Sequence, residues 1–163
     1  MAELGANERL LPFLLDRITD AEPGKMDGRD RRVMSSREYR EGLLRDIAWL
    51  LNAQAHPARD GLRAFPSVAR SVLNYGMPEL AGEHASSLGA ETIERMVRNA
   101  IQTYEPRILP RSLEVTVVES PDSSRHVVQI EIRAEAWNVP MPDTLFIRTE
   151  VDLETGHFVL NDS

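Results

Sequence analysis

Apolar residues recur along this chain with two different periods, and the change from one to the other falls near Arg111. In residues 8–19, Leu11, Leu14, Leu15 and Ile18 stand three and four apart. That spacing predicts a short amphipathic helix, which Asp20-Ala21-Glu22-Pro23-Gly24 then stops. Residues 25–32 are polar and charged without periodicity and read as a linker. Ser35 followed three residues later by Glu38 makes a capping box, after which Tyr39, Leu43, Leu44, Ile47, Leu50 and Leu51 share one face; the pattern predicts a helix over residues 37–53. Pro66 suits the first turn of a further helix carrying Val68, Val72 and Leu73, with Gly76 at its left-handed C-terminal position and Pro78 blocking continuation. Ser86 or Ser87 is expected to cap a third long helix through Ile93, Met96, Val97, Ala100, Ile101 and Tyr104, ended by Pro106.

Beyond Arg111 the period is two. Leu113, Val115 and Val117 alternate with Glu114 and Thr116; Pro121-Asp122-Ser123-Ser124 is turn chemistry; Val128, Ile130, Ile132, Ala134 and Ala136 alternate with polar residues. Leu145, Ile147, Thr149 and Val151 form another such run, and Glu154-Thr155-Gly156 turns into a last strand through Phe158 and Leu160. Helices first and an antiparallel meander second define an α+β fold, the N-terminal helices packed on the apolar face of a C-terminal sheet. The expected organisation is a helix and linker over residues 1–32 and one α+β domain over residues 33–163.

Composition narrows the function classes. With 163 residues and 42% apolar content the chain suffices for one core. Its longest apolar stretch, from Leu10 to Leu15, is far below the ~20 residues that span a bilayer, so no membrane insertion is expected. The N-terminus has no basic region ahead of that stretch, which predicts a cytoplasmic location. The absence of cysteine removes disulfides, thiolate metal sites and a Cys nucleophile. The net charge of −7 resides wholly beyond Arg111, where three arginines face ten acids. That balance argues against nucleic acid as a partner.

No glycine-rich phosphate loop, G-x-S-x-G or H-E-x-x-H is present, and no cofactor is expected. His56, His84, His126 and His157 stand singly, so no metal is assigned. Two carboxylates at a suitable separation suffice for glycoside cleavage, and the order Glu135, Asp143, Thr149 loosely matches phage muramidases. Yet Glu135 falls on the polar face of a strand. Glu105-Pro106-Arg107 is the most distinctive local feature: a rigid proline sets opposite charges at a helix end as the chain enters the sheet. It reads either as a corner with exposed charges or as an immobilised pair that bonds a partner. The acidic sheet likewise reads as a solvated face or as an edge that accepts a strand from another chain.

Four ordered motifs carry a family resemblance: residues 14–23 (LLDRITDAEP), 44–52 (LRDIAWLLN), 71–80 (SVLNYGMPEL) and 104–107 (YEPR). In these the chain resembles TssE, the small baseplate subunit of bacterial type VI secretion systems, itself similar to a wedge protein of contractile phage tails. The resemblance implies a structural role without cofactor, contacts to the subunits TssF and TssG with TssK nearby, and a sheet that seeds assembly of the TssB–TssC sheath. It further implies that Glu105, Pro106 and Arg107 are assembly determinants. Together with the residue pattern it yields an adaptor, not an enzyme, whose N-terminal helix docks through Leu11, Leu14, Leu15 and Ile18 on a neighbouring subunit or on its own domain. The alternatives are a peptidoglycan-cleaving, lysozyme-like glycosidase, in line with an old label of that family, and a regulatory binding module on the same fold.

Overall fold

The capping box at Ser35 starts the longest helix of the computed structural model, which describes Leu10 and residues 12–19, 34–56, 59–80, 89–118, 127–137 and 143–162. The Ser35 hydroxyl accepts from the Glu38 backbone N–H at 3.2 Å, and the Glu38 carboxylate accepts from the Ser35 N–H at 2.8 Å. That backbone bond holds the Glu38 carboxyl below its ordinary pKa. The helix α2 (Ser36–Asn52) buries Tyr39, Leu43, Ile47, Leu50 and Leu51 along one stripe. Helix α4 (Ala90–Tyr104) does the same with Ile93, Val97, Ala100 and Ile101. Gly89 stands at its N-cap without a side-chain cap; Ser86 and Ser87 lie outside the described residues.

Four strands, β1 (Glu114–Val118), β2 (Val127–Ala136), β3 (Asp143–Asp152) and β4 (His157–Asp162), form one antiparallel meander in the order β1-β2-β3-β4. The register sets Ile132 between Val115 and Ile147, and Ile130 opposite Thr149. One face of the sheet therefore collects Val115, Ile130, Ile132, Ala134, Leu145, Ile147, Val151 and Phe158, all buried under the two helices. The other face is wet, and the fold is α+β as the change of period predicts. The turn residues 121–124 lie outside the described residues.

Two helical expectations are shortened. The apolar spacing of residues 8–19 yields only α1 (Leu14–Ile18), with Phe13 at its N-cap. Pro12 lacks an N–H and biases its neighbour to extended geometry. Leu10 instead bridges Met34, whose N–H donates to its carbonyl at 2.8 Å. Leu11 and residues 25–32 lie outside the described residues.

The helix at Pro66 ends after one turn: α3 (Pro66–Ala69) is followed by a separate 3-10 turn, Val72–Asn74. Ser71 breaks it, its hydroxyl donating to Val68 O at 2.8 Å and accepting from Leu73 N at 3.3 Å. Val72 and Leu73 consequently point outward, 82% and 72% exposed. Gly76 does adopt a positive φ of 120°, but its task is to let Met77 pair with the end of α2. Met77 N donates to Ala53 O and Ala55 N to Met77 O, both at 2.8 Å.

Candidate functional site at the Glu105–Arg107 corner

Glu105 closes α4 as its C-cap: its N–H still donates to Ile101 O at 2.9 Å, while its own φ of −117° leaves the helical region. The conformation follows from Pro106, which disfavours helical geometry in the residue before it. The next residues are clipped to the end of β2. Ile108 bridges Ala136, Trp137 N donates to Arg107 O at 2.7 Å, and Leu109 N donates to Glu135 O at 2.9 Å. A helix end and a strand end thus fix both sides of the corner, with Pro106 exposed at its tip.

The two charges of the motif face each other. Glu105 is 4% exposed, and its Oε1 accepts from the Arg107 backbone N–H at 3.0 Å and from Arg107 Nε at 2.6 Å. Arg107 Nη2 also reaches Glu105 Oε2 and donates to Asp46 Oδ2 of α2 at 2.8 Å. Burial pushes the Arg107 guanidinium down; the hydrogen bonds and charge of Glu105, with those of Asp46, outweigh it and hold the pKa above the ordinary arginine value. Asp46 in turn accepts from Arg45, and Arg45 donates to Asp16 of α1 at 2.7 Å, a bond that raises the Arg45 pKa. Alternating charges thus run from Glu105 through Arg107, Asp46 and Arg45 to Asp16.

Phe13 adds an apolar clasp to this ionic chain. Its ring lies 4.3 Å beneath the Arg107 guanidinium and 5.2 Å from the Tyr39 ring, and it sits against Gly42, where a Cβ would approach Phe13 Cε2 to 2.2 Å. Segment 13–18 therefore faces α2 with Phe13 and Asp16. Its opposite face shows Leu14, Leu15 and Ile18 at 73%, 40% and 71% exposure. Between Leu15, the exposed Trp49, Tyr75 and Tyr104 lies a groove of about 280 Å³ whose polar wall is Asp46, Glu105 and Arg107. Arg45 stacks over Trp49 at 5.0 Å. Chemically, such an arrangement can accept apolar or hydrogen-bonding groups; it offers rigid aromatic and arginine anchors, the residue types that dominate interface energetics.

The structure thus brings Glu105, Arg107 and Leu15 to one site and leaves Leu14 and Ile18 on the outward face of α1; Leu11 lies outside the described residues. Sequence reasoning placed Tyr39 on the apolar face of its helix but assigned no role to Phe13, Asp16, Arg45 or Asp46. Asp16, Arg45 and Asp46 do stand within the quoted motifs LLDRI and LRDIA, beside each apolar stripe, and that was their available signal. Glu135, Asp143 and Thr149 do not converge. Glu135 is exposed on the wet face, whereas Thr149 is buried and donates its hydroxyl to Val159 O at 3.0 Å. Among the described residues no group of three or more His, Asp or Glu is arranged to hold a metal ion, and no helix is long and apolar enough to cross a membrane. His84 and His126 lie outside the described residues.

The edges of the sheet are engaged as well. On β1, Val115 O accepts from Arg98 Nη2 at 3.2 Å and Val117 N donates to Glu94 Oε1 at 2.9 Å, both from α4. On β4, Asn52 of α2 both accepts from Phe158 N at 2.9 Å and donates to Phe158 O at 3.0 Å. Antiparallel ladders alternate inward and outward backbone groups, so Leu160, two residues beyond Phe158, also turns its N–H and C=O away from β3.

No curated protein matches the sequence. A chain of the solved structure described as "The baseplate complex from the type VI secretion system" aligns with 71% of this chain and 96% of its own length, at 20% identity and a TM-score of 0.44. The family model described as "Baseplate wedge protein gp25" matches residues 37–141, from the first turn of α2 past the end of β2, and so takes in the whole of the Glu-Pro-Arg corner. The kinship with contractile-tail wedge proteins read from the four motifs stands on that match: the chain belongs to the baseplate wedge protein gp25 family.

Proposed function

We propose that this protein is the TssE subunit of a type VI secretion baseplate, a cytoplasmic, non-catalytic adaptor that joins the wedge to the contractile sheath and helps sheath assembly begin. The observation that carries the reading is the Arg107 guanidinium, fixed by a buried carboxylate two residues away at the wall of an apolar groove. An arginine already ordered in the free protein loses little further freedom on binding, which is what an assembly contact needs. On this reading the wedge subunits TssF and TssG, with TssK nearby, meet the Glu105-Pro106-Arg107 corner and the outward leucines of α1. The sheath proteins TssB and TssC meet the sheet; α4 side chains engage β1 at Val115 and Val117 and Asn52 engages β4 at Phe158, so the edge this reading favours is the outward-turned backbone of Leu160 on β4. A non-catalytic role is supported by the occupation of the Glu105 carboxylate by arginine donors and by the separation of Glu135 from Thr149 on opposite faces.

Co-purification with TssF and TssG tests the proposal. The wild type is expected to co-elute with both, and Arg107→Ala and Trp49→Ala, each shown to be folded by circular dichroism, are expected to be lost from the complex. Trp49 is an exposed side chain, so its variant separates a lost contact from a lost fold. Failure of the wild-type chain to bind any baseplate subunit would sink the adaptor reading and make a wall-hydrolysis assay the next measurement.

A further inference from the structure

Phe146 stands at the centre of the sheet's wet face with two arginines against its ring, Arg133 at 5.2 Å and Arg148 at 5.3 Å from the centroid. The register explains the grouping: Arg133 lies opposite Phe146, and Glu131 lies opposite Arg148, so the four side chains form a square across β2 and β3. Glu131 accepts from Arg133 Nη2 and from Arg148 Nε, each at 3.3 Å. Among the described residues it is the one acid that bonds either guanidinium. Each guanidinium carries five N–H donors, of which one is engaged among the described residues, and the two arginine side chains are 61% and 62% exposed. Long, exposed bonds of this kind add little to stability. Arginine around an aromatic ring is instead the composition of an interface centre.

The square has a net charge of +1 on a face whose other charges are acidic. By register Glu114, Glu135 and Glu150 surround it, and all three are exposed. A long polyanion laid across the sheet meets those glutamates as well as the arginines, whereas a short segment with only two acids avoids them. We propose that this square is a docking site for a protein segment that presents two carboxylates on either side of one apolar side chain, the carboxylates on Arg133 and Arg148 and the apolar group on Phe146. The site lies on the face of the sheet, apart from its edges and from the Glu105–Arg107 groove, and does not depend on the adaptor reading.

The probe is a synthetic peptide Ser-Glu-Ser-Leu-Ser-Glu-Ser, titrated into the isotope-labelled full chain and followed by amide chemical shifts. In an extended peptide the two glutamates and the leucine share one face. Saturable shifts are expected at Glu131, Arg133, Phe146 and Arg148, weakened about fivefold or more in Arg133→Gln/Arg148→Gln, which loses charge-assisted bonds at two exposed positions. The conservative Arg133→Lys/Arg148→Lys pair keeps the charge without the planar fork and should fall between the two. Absence of saturable shifts, equal shifts with the corresponding dilysine peptide or with an oligothymidylate, or unchanged affinity in the glutamine variant would each overturn the proposal.

Discussion

Arg107 and Glu105, two residues apart across a proline, neutralise each other where α4 hands the chain to the sheet, with Arg107 Nε 2.6 Å from Glu105 Oε1. The pair is asymmetric, because the Glu105 side chain is 5% exposed and that of Arg107 22%. Removing the arginine strands a buried carboxylate; removing the charge of the acid leaves an arginine that still has Asp46. Arg107→Ala should therefore cost about 3 kcal/mol, and Glu105→Gln roughly half as much. The sign of their combination is the sharper test. If the stranded charge is the cause, Glu105→Gln should restore part of the stability lost in Arg107→Ala, as urea denaturation at neutral pH will measure; simple addition of the two losses would refute that account.

Gly42 offers a separation of the α1 segment from the core. It lies inside α2, where alanine is favoured over glycine by about 1 kcal/mol, yet its Cβ would stand 2.2 Å from the Phe13 ring. Gly42→Ala should leave the global unfolding free energy nearly unchanged while releasing Phe13, and with it the stacking on Arg107. Limited proteolysis should then cut residues 12–19 faster in the variant than in the wild type, with the same product thereafter. Equal cleavage rates would mean that Phe13 does not hold the segment.

The parts of this fold that were legible in the sequence are those set by neighbours in the chain. Ser35 and Glu38 need only each other to cap α2, and the alternation of Val115, Ile130, Ile132, Ile147 and Val151 needs only a sheet with one dry face. Periodicity fails where it assumes that apolar means buried. Val72 and Leu73 kept helical spacing but stand in solvent, because Ser71 and Tyr104 satisfy the backbone there; the Tyr104 hydroxyl donates to Asn74 O at 2.7 Å. The candidate site divides in the same way. The motif Glu105-Pro106-Arg107 was visible, but the burial of Glu105 depends on packing, and the second acid on Arg107 is Asp46, 61 residues away. No local pattern encodes a distance of that kind.

Tyr39 gives the protein an alkaline limit. Burial raises its pKa, more than the nearby Arg107 lowers it, and its hydroxyl donates to Trp137 O at 2.9 Å. An unfolded tyrosine loses its proton near pH ~10. The raised folded value means that stability from this group is complete below that pH and is lost as pH climbs toward the folded pKa, by up to about 1.4 kcal/mol per pH unit. Tyr39→Phe should cost about 1 kcal/mol at pH 7 through the lost hydrogen bond, and should flatten the decline above pH ~10. Tyr75, whose pKa burial also raises, keeps a residual slope. Denaturation curves for both proteins between pH ~7 and ~11 read the difference; parallel declines would remove Tyr39 as the source.

The edge of β1 is closed by side chains rather than by another strand, and that makes its closure mutable. Glu94 accepts the Val117 N–H and Arg98 donates to Val115 O, so two residues one helical turn apart on α4 each occupy one outward group of the strand. Free outward groups on an edge strand are a template for pairing with another chain. Glu94→Ala/Arg98→Ala deletes both bonds and leaves the buried stripe of Ile93, Val97, Ala100 and Ile101 untouched, so the fold should survive with a loss of about 1–2 kcal/mol. Two readouts follow: the Val117 amide should exchange with solvent at least tenfold faster, and the chain should self-associate with rising concentration in sedimentation velocity while the wild type does not. Faster exchange without association would show that the meander's twist protects β1 even when it is uncapped. Neither change would show that Glu94 and Arg98 are incidental to the edge, and β1 would then rank equally with β4 as a strand open to pairing.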